Sequence, residues 1–94
     1  MSLTPDDVRN LVHHYLLDHN FLIVGAPGNR FTYQIITVQW RGAGTRTPYR
    51  WTVMLAKIPL DNQDIIIDGD VLLLVDPATR QIQTLDEYLD ERVV

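Results

Sequence analysis

The first hydrophobic pattern along the chain has the period of an α-helix. From residue 8 to residue 19, apolar or aromatic positions recur every three or four residues, the spacing that lines one helix face. They are Val8, Leu11, Val12, Tyr15, Leu16 and His19. Thr4 and Pro5 are typical of a helix start, and Asn20 tolerates the left-handed conformation that ends many helices. The pattern predicts a helix that begins at Pro5 and packs through this stripe.

The middle of the chain instead shows short apolar runs separated by turn-forming residues. These runs predict strands over residues 21–24, 31–41, 49–58, 71–75 and 80–83. In 31–41 the apolar residues change parity, which predicts either a bulge near Ile35 and Ile36 or burial of both faces. Every position of 71–75 is apolar, so this strand is expected to be covered on both faces. Residues 65–67 fit either a further strand or an ordered loop.

A capping-box pattern opens a last short helix. Thr84 is followed by Glu87 at the third position, and Leu85, Tyr88 and Leu89 share one side of the helix that follows. We therefore predict an α+β fold in which an N-terminal helix packs on a curved antiparallel sheet of four to five strands. The short C-terminal helix completes the order α-β-β-β-β-α. A chain of 94 residues has room for one core, so residues 1–94 are treated as a single domain.

Composition narrows the classes of function. The chain has no cysteine, which excludes disulfides, thiolate zinc sites and cysteine nucleophiles. Its formal charge of −4 opposes attraction to nucleic acid and to anionic membranes. The start of the chain lacks the pattern of a signal peptide, and the longest apolar run, 71–75, is far too short to span a membrane. We expect a cytoplasmic protein.

Histidines and carboxylates do not form a recognisable catalytic or metal-binding pattern. His13, His14 and His19 contain no pair at the i, i+4 spacing of helical metal ligands. The five aspartates around strand 71–75 do not match a calcium loop and are interpreted as turn formers: Asp61, Asp64, Asp68, Asp70 and Asp76. No nucleophile elbow is present. We predict no catalytic residue, no metal and no cofactor.

One segment is basic and aromatic in an otherwise acidic chain. Between residues 40 and 51, three arginines alternate with glycines and threonines, and a tryptophan stands at each end. Guanidinium groups suit carboxylate or phosphate recognition, and tryptophan supplies interface area. The candidate binding residues are Trp40, Arg41, Arg46, Tyr49, Arg50 and Trp51. The alternative interpretation is an ordinary charged hairpin loop with both tryptophans in the core.

A second pattern, over residues 51–89, resembles a known family. It consists of W-x-V at Trp51, then L-L-V-D-x-x-T-x-x-I over 73–82, and E-Y-L over 87–89. This resembles the small immunity-protein domains of bacterial polymorphic-toxin systems and, more loosely, PepSY-like and nuclear-transport-factor-two-like half-cone domains. Arg80 stands where the pattern usually has glycine. The resemblance implies a small protein that binds another protein, and it supplies no catalytic residue.

These observations favour a non-catalytic protein-binding module, immunity-like or regulatory, with an unidentified protein partner. Exposed strand edges also predict a homodimer. One alternative is a small-ligand or enzymatic domain with a pocket between the first helix and the sheet, near His14, Tyr33 and Trp51. A further alternative is nucleic-acid contact through the arginines of 41–50, which the net charge opposes.

Overall fold

The computed structural model describes residues 3–61 and 70–92. Helix α1 spans Pro5–Asp18, strands β1 to β4 span Phe31–Arg41, Arg50–Pro59, Val71–Val75 and Ile82–Thr84, and helix α2 spans Leu85–Arg92. The strands form one antiparallel sheet in the order β1-β2-β3-β4. This confirms the α+β class and the order α-β-β-β-β-α. The predicted strand or loop at 65–67 lies outside the described residues.

Helix α1 begins and ends as its sequence predicts. The Thr4 hydroxyl accepts from the Asp7 backbone N–H at 3.2 Å, and the Asp7 carboxylate accepts from the Thr4 N–H at 3.0 Å. At the other end, Asn20 has a φ of 58°, and the N–H of Phe21 donates to the carbonyl of Leu16 at 2.8 Å. This bond satisfies a terminal carbonyl of the helix, as in a Schellman motif.

The prediction of a strand at residues 21–24 is wrong. Only Val24 pairs, in an isolated antiparallel bridge with Phe31. The intervening residues form a tight turn in which Gly25 has a φ of 102°, and a Cβ there would lie 2.9 Å from the Asn29 carbonyl oxygen. Phe21 and Leu22 instead pack against the core. Their apolar character serves side-chain burial, which periodicity cannot distinguish from strand pairing over four residues.

Strand β1 contains a bulge, which is the first of the two predicted explanations for its change of parity. Ile35 pairs with Leu55 and Thr37 with Met54, which leaves Ile36 as the extra residue. The bulge shifts the side-chain alternation by one, so Ile35 and Val38 both face the same side of the sheet. It therefore explains the change of parity in the sequence.

The sheet is covered by one helix on each face. On the α1 face, Val8, Val12 and Leu16 pack with buried strand residues, which are Val53, Leu55, Leu73 and Val75. The opposite, α2 face carries Leu74 and Thr52, which are cross-strand partners and both buried. Helix α2 contacts β3 and β4 on this face, and the Gln83 side chain donates to Glu91 at 2.8 Å. Strand β3 is thus covered on both sides, as predicted.

Strands β2 and β4 differ slightly from their predicted bounds. Tyr49, placed in the strand by its alternation, is exposed, has a φ of 58° and lies just outside β2. Strand β4 begins two residues later than predicted, because Arg80 takes a φ of 63° at the end of the preceding turn. This is the position where the family pattern usually has glycine. The capping box at Thr84 and Glu87 is present.

Candidate functional site

The two tryptophans lie on the α1 face at the loop end of the β1–β2 hairpin. They are cross-strand partners, and their rings meet edge to face at 5.5 Å between centroids. Trp51 is half-buried against the core, whereas Trp40, at the edge of the sheet, is 46% exposed. Trp51 is therefore part of the fold, and Trp40 offers an aromatic surface.

The arginines point to the other face. Arg41 and Arg50 are cross-strand partners next to the tryptophan pair, so side-chain alternation directs them to the α2 face. There Arg50 pairs with Asp76 at 3.4 Å, and its guanidinium lies 5.9 Å from the ring centroid of Tyr88. The structure thus divides the candidate site of residues 40–51 into an aromatic part and a basic part, and it assigns Arg50 a structural contact with α2.

The loop of residues 42–49 folds back over the α2 face. Its Thr45 hydroxyl donates to the Gly42 carbonyl at 2.9 Å, and the Tyr49 N–H closes the loop onto the Arg41 carbonyl at 2.8 Å. Thr47 is only 7% exposed. The buried Thr47 and the hydrogen bond to Arg41 indicate that the loop packs against the sheet rather than projecting from it.

Beneath this loop lies a cavity of about 380 Å³, which we name the loop cavity. Its walls come from β1, the loop, the sheet and α2. They comprise Arg41, Thr45, Arg46, Thr47, Thr52, Leu72, Leu85 and Leu89. Within residues 3–61 and 70–92, neither Arg41 nor Arg46 has a carboxylate at ion-pair distance. The cavity therefore combines an apolar wall with two guanidinium groups that no described side chain neutralises.

A second cavity, of about 450 Å³, lies between the C-terminal half of α1 and the sheet. We name it the helix cavity. Tyr33 lines it together with Tyr15, Leu16, Phe21 and Leu55, while Val71 and Thr84 contribute from the other side. Of the residues expected at a pocket here, only Tyr33 is part of it. His14 is exposed on α1, and Trp51 lies toward the opposite end of β2.

Burial at the helix cavity changes the acidity of Tyr15. The phenol is partly withdrawn from water and Glu87 is nearby, and both effects raise the pKa of Tyr15 above its ordinary value. Tyr15 is therefore a hydroxyl donor at neutral pH, not a base.

The outer edge of β1 is a long strand edge that the described residues leave unpaired beyond Phe31. In an antiparallel pair, residues alternate between bonding the partner and pointing their N–H and C=O groups away from it. The carbonyls of Arg30 and Arg41 accept from the β2 side. The outward positions are therefore Phe31, Tyr33, Ile35, Val38 and Trp40. Val24 bonds Phe31, and no other described backbone group bonds this edge.

The side chains of β1 offer few of the features that normally block strand addition. Among its 11 residues there is no lysine and no proline, and the single charge is Arg41 at the end. The bulge at Ile36 is the one protective feature present. The other edge strand, β4, has three residues, so its shortness protects it.

Apolar side chains extend this edge onto the neighbouring surface. On the α2 face, Met54 and Ile58 of β2 are exposed, and Leu60 beyond the strand and Ile36 of the bulge are exposed as well. Helix α2 covers β3 and β4 but not this part of the sheet. The β1–β2 hairpin therefore presents an apolar surface next to the edge that residues 3–61 and 70–92 leave mostly unpaired.

The base of the hairpin is held by one carboxylate. Asp61 accepts from the backbone N–H of Gly28 at 2.8 Å and of Arg30 at 3.1 Å, and it pairs with the Arg30 guanidinium at 2.7 Å. The Arg30 hydrogen bonds hold the pKa of Asp61 well below its usual range. This aspartate fixes the end of β2 to the turn before β1.

The described histidines and carboxylates do not converge. The rings of His13 and His14 lie 6.2 Å apart on the exposed side of α1, and the Nδ1 of His19 contacts the Tyr15 carbonyl oxygen at 2.9 Å. Within the described ranges, no group of three or more histidine or carboxylate side chains is placed to hold a metal ion. None of the described helices is long and apolar enough to cross a membrane.

Comparison with known proteins adds no family assignment. No protein-family model matches the chain, and no curated protein or solved structure matches it. The functional conclusion therefore depends on the geometry of the chain itself.

Two features of these surfaces could have been found from the sequence. Consecutive residues in a strand point to opposite faces of the sheet. The adjacent pairs Trp40–Arg41 and Arg50–Trp51 therefore predict that the tryptophans and the arginines lie on different faces. The absence of lysine and proline from residues 31–41 is also visible in the sequence. That β1 is an edge strand, and that α2 leaves the hairpin uncovered, requires the tertiary structure.

Proposed function

We propose that this chain is a non-catalytic protein-binding module that accepts an extended segment of a partner protein along the outer edge of β1. The observation that carries the proposal is the edge itself. An 11-residue edge strand with outward N–H and C=O groups, and with one charged side chain, is suited to strand addition. Four outward residues have no backbone partner among the described residues: Tyr33, Ile35, Val38 and Trp40.

The neighbouring side chains would supply specificity. In strand addition, main-chain hydrogen bonds provide affinity and alternate side chains provide selectivity. On the α1 face, the half-exposed Trp40 offers an aromatic contact. On the α2 face, Met54 and Ile58 offer apolar contacts, and the bulge residue Ile36 exposes a further apolar side chain on the edge strand. An extended partner segment with apolar side chains on both of its faces fits this surface best.

The proposal includes an immunity-like or regulatory role in the cytoplasm of a bacterium, because the resemblance of residues 51–89 also implies a protein partner. A second copy of the chain is one partner that the edge would accept. Because β1 has a single charged side chain, two copies of this strand would repel each other little. Nucleic acid is disfavoured by the charge of −4.

The test compares two substitutions at Val38. Val38→Pro removes an outward N–H, whereas Val38→Ala removes more side-chain volume but keeps that N–H. Peptides selected from a random library for binding to the wild-type chain are titrated against both variants. We expect Val38→Pro to weaken binding about tenfold or more, because it leaves a partner carbonyl without its donor. Val38→Ala should bind nearly as the wild type does.

Circular dichroism would verify that both variants fold, and sedimentation would show whether the wild type pairs with itself through the same edge. If Val38→Pro binds every selected peptide as tightly as Val38→Ala, the strand-addition mode is wrong.

A second candidate function, small-ligand binding, is favoured by the helix cavity. Its volume lies within the usual range for ligand pockets, and Tyr33 and Tyr15 offer polar groups on an apolar wall. A screen of small aromatic and aliphatic compounds by methyl NMR would distinguish it from strand addition. Shifts of the Leu16, Leu55 and Leu73 methyl signals would support this candidate, whereas compounds that leave these signals unchanged would contradict it.

A further inference from the structure

The loop cavity carries two arginines that take no part in the strand addition proposed above and form no ion pair within the described residues. Arg41 and Arg46 stand at one side of it, and Leu72, Leu85 and Leu89 form the apolar wall. In the described part of the chain, both guanidinium groups lack an ion-pair partner, although the protein carries 12 acidic residues against eight basic ones. Arg50, the cross-strand partner of Arg41, is by contrast paired with Asp76, and Arg30 at the other end of the hairpin is paired with Asp61.

Two guanidinium groups that no described carboxylate pairs, beside an apolar wall, attract a molecule of matching polarity. Guanidinium binds carboxylate and phosphate through paired N–H donors, and these bonds are stronger than neutral hydrogen bonds. The threonines at positions 45 and 47 line the same side and add hydroxyl groups. A purely apolar ligand would gain no hydrogen bond from these groups, and a simple inorganic anion would gain nothing from the leucines.

We propose that the loop cavity binds a small amphiphile with an apolar body and a single anionic head. The head lies between Arg41 and Arg46, and the body lies against Leu72, Leu85 and Leu89. The volume of about 380 Å³ is near the lower end of the range for ligand pockets, so one small molecule fits. This site is independent of the β1 edge, and its ligand contacts the α2 face.

The ordered loop supports the site. Thr47 is buried and the Tyr49 N–H bonds the Arg41 carbonyl, so the segment between them is held close to the sheet. Helix α2 supplies Leu85 and Leu89 from the other side. A ligand bound in this cavity would therefore contact both the loop and α2, the two elements that cover this face.

Three probes with the same eight-carbon chain test the proposal: octanoate, octyl phosphate and octanol. Binding is measured by titration calorimetry, and the site is identified from the amide NMR signals of Thr45 and Thr47. We expect one or both anionic probes to shift these signals, and octanol to bind about tenfold more weakly, because it has no charge for the arginines. Tighter binding of octanoate or of octyl phosphate would identify the head as carboxylate or phosphate.

Variants separate the two parts of the site. The double variant Arg41→Gln/Arg46→Gln should weaken the anionic probes about tenfold and leave octanol unchanged. Arg9→Gln, at an exposed position on α1, is the matched control and should bind as the wild type does. Leu89→Asn keeps both guanidinium groups and should weaken all three probes, because it removes part of the apolar wall.

The proposal is overturned if neither anionic probe binds at millimolar concentration, or if octanol binds as tightly as the anions. It is also overturned if the double arginine variant, shown to be folded by circular dichroism, binds octanoate and octyl phosphate like the Arg9→Gln control. Shifts at Leu16 and Leu55 without shifts at Thr45 and Thr47 would assign the binding to the helix cavity instead.

Discussion

At the scale of the residue, Asp61 shows how one side chain can join distant parts of the chain. Its carboxylate bonds Gly28 and Arg30, more than 30 positions earlier, through two backbone N–H groups and one guanidinium. The sequence grouped Asp61 with four other aspartates as a turn former. Nothing in its local pattern distinguishes it from them, because its partners come from another part of the chain.

We predict that Asp61→Asn lowers stability in a pH-dependent way. Because the pKa of Asp61 is lowered in the folded state, its carboxylate stabilises the fold above the unfolded pKa of about 4, and this contribution is lost as the pH falls below that value. Urea unfolding should show a lower midpoint for the variant at pH 7 and a smaller difference from wild type at pH 3.

Asp90→Asn, at an exposed position on α2, is the control and should change the midpoint little at either pH. A difference between Asp61→Asn and wild type that stays constant from pH 7 to pH 3 would contradict the assigned role of the carboxylate.

At the scale of the element, both helices begin with a capping box. Thr4 with Asp7 and Thr84 with Glu87 each satisfy two N–H groups that a helix start leaves unbonded. These motifs are complete within four residues, which is why the sequence predicts both helix starts correctly. The strand at 21–24 was predicted wrongly because strand pairing needs a partner that the local sequence does not specify.

We predict that Thr4→Ala destabilises the protein by about 1 kcal/mol through the loss of the α1 cap. Thr84→Ala should have a similar cost at the start of α2. Thermal and urea unfolding of the two variants measure these effects, and Thr45→Ala, which removes a loop hydrogen bond to Gly42 but no helix cap, provides a comparison outside any helix. Equal stability of Thr4→Ala and wild type would show that the cap is not needed.

At the scale of the whole molecule, the sheet separates two layers of packing. Leu73 and Leu74 are neighbours in β3 but point to opposite faces, and they are 2% and 1% exposed. Helix α1 lies over the first face and α2 over the second, while the β1–β2 hairpin extends past the region that α2 covers. The binding surfaces we propose are at the uncovered edge and beneath the loop.

We predict that Leu73→Ala and Leu74→Ala each cost about 2 to 5 kcal/mol, because each removes a fully buried side chain. Leu17→Ala, at an exposed position of α1, should cost less than about 0.5 kcal/mol. Urea unfolding of the three variants is the measurement. A cost for Leu74→Ala as small as that for Leu17→Ala would mean that α2 does not cover its face.

The sequence by itself determined what depends on short stretches of chain. The helix period of residues 8–19, the two capping boxes, the bulge in β1 and the apolar run of β3 are all local patterns, and the structure contains each of them. The tertiary structure alone decided which strand is at the edge, which face each helix covers and which arginines have partners. These depend on contacts between residues far apart in the chain, such as Arg50 with Asp76 and Asp61 with Arg30, and hydrophobic periodicity specifies burial without specifying the partner.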